Sequence, residues 1–182
     1  MTDAIARTER LVLRPLARRD IGPLFEGFGD APTMTYWSRA PFASEGELAA
    51  WAFPADPGAS LVCVAADPVD DEALIYATLM PRARGQAEIG FLSRPVARGR
   101  GLAREALGLL IDHGFRSLGL RRIFADTDPD NAGANRLLAA LSFTLEGRLR
   151  ENWETHIGLR DSHIWGLLQG EWRQPPIARA AP

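Results

Sequence analysis

Cysteine and histidine are scarce in this chain, net charge is small, and no long apolar run occurs. Cys63 is the single cysteine among 182 residues, which excludes an intrachain disulfide and a cysteine-based zinc site. It sits in the apolar run Leu61-Val62-Cys63-Val64-Ala65-Ala66, the setting of a small core hydrophobe rather than a catalytic thiol. Of three histidines, His156 and His163 stand at no recognised ligand spacing, so no metal is expected. A formal charge of -2 argues against a general polyanion binder. The arginines from Arg94 to Arg104 lack interleaved aromatics, so nucleic acid is not an expected partner. No stretch of about 18 apolar residues is present, and the N-terminus has no basic segment before an apolar core. Neither a membrane span nor a signal peptide is expected, and a cytoplasmic, reduced setting is the default. A hydrophobic share of 46% and a charged share of 24% are those of a globular chain, here expected to be one domain.

Periodicity then supplies the order of elements. Residues 1–9 read as a loose lead-in, and Arg10 to Leu16 alternates like a half-buried strand. Asp20 is placed to cap a helix over about 21–29, with Ile21, Leu24, Phe25 and Phe28 at helical spacing. Residues 30–42, broken by Pro32 and Pro41, read as a loop or short helices. Ser44 with Glu47 three places on is a capping-box signature for a helix near 45–53. Three strands follow at 61–66, 73–80 and 87–93, joined by tight turns. A long amphipathic helix runs from Gly101 to about Leu118, stopped by Gly119. A strand at 122–127, a helix at 132–141 opened by Asp130 or Asn131, and strands from 142 towards Asn152 and over 161–168 complete the domain. Residues 174–182, rich in Pro and Ala, read as a frayed tail. The order implies a mixed α/β sheet, antiparallel in its first half, with at least one crossover.

The stretch from Ala87 to Leu107 carries the chemistry. A short apolar strand ends in a basic turn, Arg98-Gly99-Arg100-Gly101, that opens the long helix. A helix start presents unpartnered amides and the positive dipole end, which suits an anion. Gly99 and Gly101 allow close approach, and Arg98 and Arg100 add charge. A Walker A loop is excluded because Gly101 is followed by Leu102 and Ala103 rather than Lys and Ser or Thr. The dinucleotide fingerprint fails too, since Arg104 stands where its last glycine belongs.

Arg98-x-x-Gly101-x-Ala103 at the start of a long helix resembles the acyl-CoA pyrophosphate loop of the GNAT N-acetyltransferase superfamily. Asp126-Thr127-Asp128-Pro129-Asp130-Asn131, with Leu141-Ser142-Phe143 and Glu146-Gly147 downstream, looks like its second motif. The ending Asp161-Ser162-His163-Ile164-Trp165-Gly166 through Trp172, and the opening Thr8 to Leu16, resemble the ribosomal-protein-alanine/serine N-acetyltransferase branch. The resemblance covers residues 8–172 as one domain, leaving 173–182 as a flexible tail. It implies a sheet splayed between its fourth and fifth strands, with flanking helices. It also implies acetyl-CoA as acyl donor. The amides of Gly99, Arg100, Gly101, Leu102 and Ala103 would then meet the pyrophosphate, with Arg98 and Arg136 among the cofactor-binding residues. The backbones of Phe91, Leu92 and Val96 would pair with pantetheine as an added strand does. An amide near Leu92 would face the developing oxyanion, and Asn131 would contact pantetheine or cap a helix.

The attacking amine must be neutral, so a base is required, and Glu88 on the strand before the turn is the candidate. A solvated strand carboxylate is the alternative reading for it. Acceptor specificity is expected in the 30–45 loop and the 150–160 connection, where Tyr36, Trp37, Arg39, Trp153, Glu154 and His156 are candidates. The chain departs from the family pattern at Ala134, where this branch has Ser, and at Leu138, where other members have Tyr. Neither familiar acid for the leaving thiolate is therefore present. The expected acceptor is a primary amine, a peptide or protein N-terminus first by resemblance and a polyamine or amino sugar antibiotic second. A catalytically silent acyl-CoA-binding module is the competing class. Dimers are common in the resembled branch, although the sequence itself shows no interface.

Overall fold

Apolar runs bounded by turn residues pair into one sheet, because strands this short bury their backbone groups only by pairing. The computed structural model describes residues 4–55 and 58–173, so the expected tail at 174–182 lies outside the described residues. The elements in chain order are β1 (Ala6–Arg7), β2 (Val12–Pro15), α1 (Ile21–Phe28), α2 (Ala31–Met34), α3 (Glu45–Ala52), β3 (Leu61–Ala66), β4 (Ala73–Ala83) and β5 (Gln86–Ser93). They continue with α4 (Leu102–Arg116), β6 (Arg122–Thr127), α5 (Ala132–Ala140), β7 (Thr144–Thr155) and β8 (Gly158–Leu168). Among the described residues the eight strands form one sheet in the order β1-β2-β3-β4-β5-β6-β8-β7. Only the β5–β6 pair is parallel, and α4 is its crossover.

Both faces of the central strands are covered, which explains their unbroken apolar runs. Cys63, Ile75, Ala77, Leu79, Ala87 and Ile89 pack with α4 residues such as Leu107 and Leu110 on one side. Val64, Tyr76 and Leu92 pack with Ile21, Leu24, Phe28 and Leu48 of α1 and α3 on the other. Cys63 is fully buried, and burial pushes its thiol up to about 12, so it is a core residue.

Several local expectations are corrected. Part of the lead-in is a strand, since Ala6 and Arg7 pair with Leu13 and Val12. The count of strands therefore shifts by one, and the expected splay falls between β5 and β6. The Asp20 carboxylate accepts no hydrogen bond from the first amides of α1. It instead accepts two hydrogen bonds from the Arg14 guanidinium at 2.8 Å and one from the Ala17 amide at 2.8 Å. A buried arginine outcompetes a helix amide for that carboxylate because a charge-assisted pair is the stronger bond. Ser142 adopts φ 67, so the strand begins at Thr144 rather than at 142. The supposed 150–160 connection is mostly sheet, as β7 reaches Thr155 and β8 starts at Gly158. Trp153 and Glu154 thus stand on a strand, paired with Arg160 and Leu159, while His156 occupies the turn.

Candidate active site

The site is built where β5 and β6 part. Their parallel register holds for Gln86↔Arg122, Ala87↔Ile123 and Glu88↔Phe124, and then ends. Ile89 to Ser93 keep a neighbour in β4 alone, so one edge of β5 is open beyond Glu88. A cavity of about 330 Å³ occupies the parting. Ile89, Gly90 and Phe91 of β5 line it beside Asp126 and Thr127 of β6 and Asp128 just after that strand. Tyr36, Trp37, Trp51 and Trp153 supply aromatic walls, and Asn131 and Ala134 approach from the start of α5.

Four carboxylates and two guanidiniums also line the cavity, namely Glu88, Asp126, Asp128 and Asp161 with Arg82 and Arg160. Glu88 is largely enclosed and held by Arg82 at 2.8 Å. Asp128 is bound by Arg160 at 2.7 Å. Burial raises the Asp128 carboxyl, but the hydrogen bonds from Arg160 and from the Asp130 amide outweigh it and hold the group below the usual carboxylate range.

At the far end of β5, Pro95–Ala97 form a 3-10 turn and Gly101 caps α4 with φ 75. Gly99 has φ 72, and both values belong to the left-handed region that disfavours side chains. Nothing lies within 4 Å of where a Cβ on Gly99 would stand, and on Gly101 only Arg10 Nη2 comes within 3.9 Å. The turn is therefore an open backbone cradle at a helix N-terminus, which fits a pyrophosphate. Leu102 plugs into the core and fixes the start of α4, with Ala103 half-buried after it. Arg10 Nη1 donates to the Arg100 carbonyl at 3.1 Å, while its other nitrogens bind Glu105 on the first turn of α4.

The expected site residues fall into groups. Glu88, Phe91, Asn131, Tyr36, Trp37 and Trp153 meet around one cavity. Leu92 is buried beneath α1, so its backbone rather than its side chain is at the open edge. Val96 lies in the 3-10 turn, not on the strand, and is exposed. Arg98 Nη2 donates to Thr33 Oγ1 at the start of α2 and to the Ser93 carbonyl. Asn131 accepts from the Ala134 amide at 3.1 Å, so it is the cap of α5. Arg100 and Arg136 are exposed, the latter on α5. Leu138 points into the core rather than the cavity, whereas Ala134 lines the cavity. His156 and Glu154 are exposed on the β7–β8 hairpin and are not among the lining residues. Arg39 is engaged with Glu47 at 2.5 Å and stacks 3.5 Å over the Phe42 ring.

Other lining residues carry no local signature. Trp51 sits in α3, Arg82 in β4, Arg160 in β8, and only the sheet order brings them together. Asn135 is a further organiser. Its Oδ1 accepts from Thr127 Oγ1 at 2.8 Å and Trp165 Nε1 at 2.9 Å, and its Nδ2 donates to the Asp128 carbonyl at 2.9 Å. It follows Asn131, the cap of α5, by four residues, and nothing in the local sequence marked it out. Among the described residues no group of three or more His, Cys, Asp or Glu could hold a metal ion, and no helix is long and apolar enough to cross a membrane.

A splayed parallel pair ending at a glycine cradle, with a cavity of about 330 Å³ in the splay, is the arrangement that the resemblance to acyl-CoA-dependent transferases implies. The acetyltransferase (GNAT) domain family matches residues 10–144. An uncharacterized N-acetyltransferase p20 of Bacillus licheniformis is 30% identical over 174 residues, covering 91% of this chain and 96% of that protein. A spermidine N(1)-acetyltransferase of Escherichia coli is 28% identical over 139 residues, covering 75% and 74%. The crystal structure of a probable GNAT-family acetyltransferase from Chromobacterium violaceum superposes with a TM-score of 0.83 at 31% identity, covering 94% and 89%. The chain belongs to the GNAT family. It is an N-acetyltransferase that draws its acetyl group from acetyl-CoA.

Proposed function

We propose that this chain moves acetyl from acetyl-CoA directly to a primary amine bound in the cavity between β5 and β6, within a ternary complex. The observation that carries this reading is the end of β5–β6 pairing at Glu88 and Phe124, which opens a strand edge and a cavity together. Amides on the open edge of β5 accept the pantetheine arm as an added strand, with Phe91 and Leu92 at its centre. The amides from Gly99 to Ala103, at the N-terminus of α4, hold the pyrophosphate, and Arg98 and Arg100 supplement their charge. Val96, Asn131 and Arg136 complete the donor side. The acetyl group is thereby set at the splay, where an amide near Leu92 offers a hydrogen bond to the charge developing on the thioester oxygen. Glu88 faces the cavity and takes the proton that the amine loses, with Arg82 holding the carboxylate in place. Ala134 and Leu138 supply no proton, so the thiolate leaves to water, which its good leaving-group character permits. Holding both substrates in line supplies much of the acceleration.

Tyr36, Trp37 and Trp153 bound the acceptor. The branch resemblance favours a peptide or protein N-terminus, and the setting is cytoplasmic. A small amine is the second reading, favoured by the enclosing aromatic walls and by the likeness to a spermidine acetyltransferase. Thiol release from acetyl-CoA with a panel of peptides and small amines tests the proposal. Release that depends on a primary amine is expected. Tight CoA binding with no release on any amine would identify a silent acyl-CoA-binding module instead.

A further inference from the structure

Three of the four carboxylates lining the cavity already have an arginine partner. Glu88 binds Arg82 at 2.8 Å, Asp128 binds Arg160 at 2.7 Å, and Asp161 binds Arg148 at 2.7 Å. Asp126 differs. Among the described residues its carboxylate makes no ion pair, and its partners are neutral. The Trp153 indole Nε1 donates to Oδ2 at 2.9 Å, and Asn152 Nδ2 donates to the same oxygen at 3.3 Å. Both donors use one oxygen, so the second retains its capacity to accept.

Its position is specific. Phe124 is the last β6 residue in register with β5, opposite Glu88. Asp126 lies two residues further on, hence on the same face of the sheet as Glu88 and immediately beyond the point of parting. Tryptophans 37, 51 and 153 line the same cavity. Indole faces attract organic cations, and a carboxylate lacking a counter-ion completes such a site.

We propose that Asp126 binds a second group on the acceptor that stays protonated during the reaction, so the preferred substrate is a primary amine carrying another cationic group a few bonds away. This rests on the reading of the cavity as the acceptor site. The reacting ammonium loses two of its three protons, one before attack and one as the amide forms; the carbon–nitrogen bond replaces the acetyl–sulfur bond, and the departing thiolate takes a proton from water. The second cation stays charged and remains on Asp126. The chemistry has two sources, a free diamine or a peptide whose first residues include a basic side chain.

The test compares wild type with Asp126→Asn, which keeps an oxygen for the Trp153 indole, and with Asp126→Glu, which keeps the charge. Acceptors are 1,5-diaminopentane against pentylamine, and the amides of Ala-Arg against Ala-Leu. Thiol release should favour the dicationic member of a pair by about 10–100-fold in wild type, the scale of a hydrogen bond to a charged group. Asp126→Asn should erase that preference through KM rather than kcat, and Asp126→Glu should restore part of it. A preference confined to the diamine pair, or to the peptide pair, tells the two sources apart. Equal rates within both pairs for wild type, or a preference retained by Asp126→Asn, would overturn the proposal. If no amine releases thiol, the catalytic reading fails by itself. Calorimetry of 1,5-diaminopentane with the CoA-loaded protein then decides the carboxylate's role: binding weakened at least tenfold by Asp126→Asn supports it, and equal or absent binding in both proteins overturns it.

Discussion

Gly101 has a left-handed φ of 75 and only the Arg10 guanidinium within 3.9 Å of where a Cβ would stand, two properties that a longer side chain would spoil in different ways. Any L-residue there costs about 1–2 kcal/mol of backbone strain, which a stable domain survives. A carboxylate there would also lie against the phosphate. Gly101→Glu should therefore fold, with a small fall in urea midpoint, and show no CoA binding by calorimetry. Unchanged CoA affinity would sink the assignment of the loop. Glu88 poses the complementary case, since its carboxylate faces the cavity while its strand position is structural. Glu88→Gln should lower kcat by about 100-fold or more if it is the base, with CoA affinity unaltered. A merely solvated carboxylate would leave kcat within a fewfold of wild type.

Between elements, arginines act as staples. Arg10 ties the β1–β2 turn to α4 through Glu105, while Thr8 Oγ1 donates to the same carboxylate and Arg10 Nη1 holds the Arg100 carbonyl. That carbonyl would otherwise be free to turn towards an incoming phosphate. Arg10→Ala should weaken CoA binding about fivefold, the worth of one net hydrogen bond. Its effect on stability should stay under about 1 kcal/mol, because the arginine side chain is 53% exposed. Arg14 and Asp20 are the opposite, each 2% exposed and paired at 2.8 Å. Asp20→Ala leaves the guanidinium with Asp71 as its one carboxylate and the Ala17 amide without its acceptor, and urea unfolding should register a loss of about 3–5 kcal/mol. The opening motif thus has two arginines with separate duties, one at the cofactor loop and one in the core.

For the molecule as a whole, acid should act through its paired carboxylates. The Arg122 hydrogen bonds hold Glu146 below its ordinary value of 4.5, and Asp128 is held below 3.8 by Arg160 despite its burial. A carboxyl lowered on folding contributes stability above its unfolded value and loses it as pH falls towards the folded one. Burial also holds the His113 imidazole below its ordinary 6.5, so urea midpoints should be flat above about pH 7, fall gently below it and fall more steeply below about pH 5. All 21 basic residues are arginine, so acetyl-CoA finds no lysine amine on this chain. Much of the architecture was legible from local pattern. The Ser44 cap accepts from the Glu47 amide at 3.2 Å as its spacing implies, and the helix expected from Gly101 to about Leu118 is α4, which ends at Arg116. Asp20 misled because its partner, Arg14, comes from the neighbouring strand. The β7–β8 hairpin is expected, but its outer part, 153–160, reads as a connection because charged residues on an exposed edge break the apolar alternation. The cavity draws Trp51, Arg82, Asp126 and Arg160 from four separate elements, so no single window of sequence contains it. By itself the sequence determined the periods of its strands and helices and the glycine turn between β5 and α4, because those depend on backbone preference within a few residues. Only the tertiary structure decided where β5 and β6 part and which carboxylates there are already neutralised. Both depend on strand register and on charge pairs between residues far apart in the chain, where local preference carries no information.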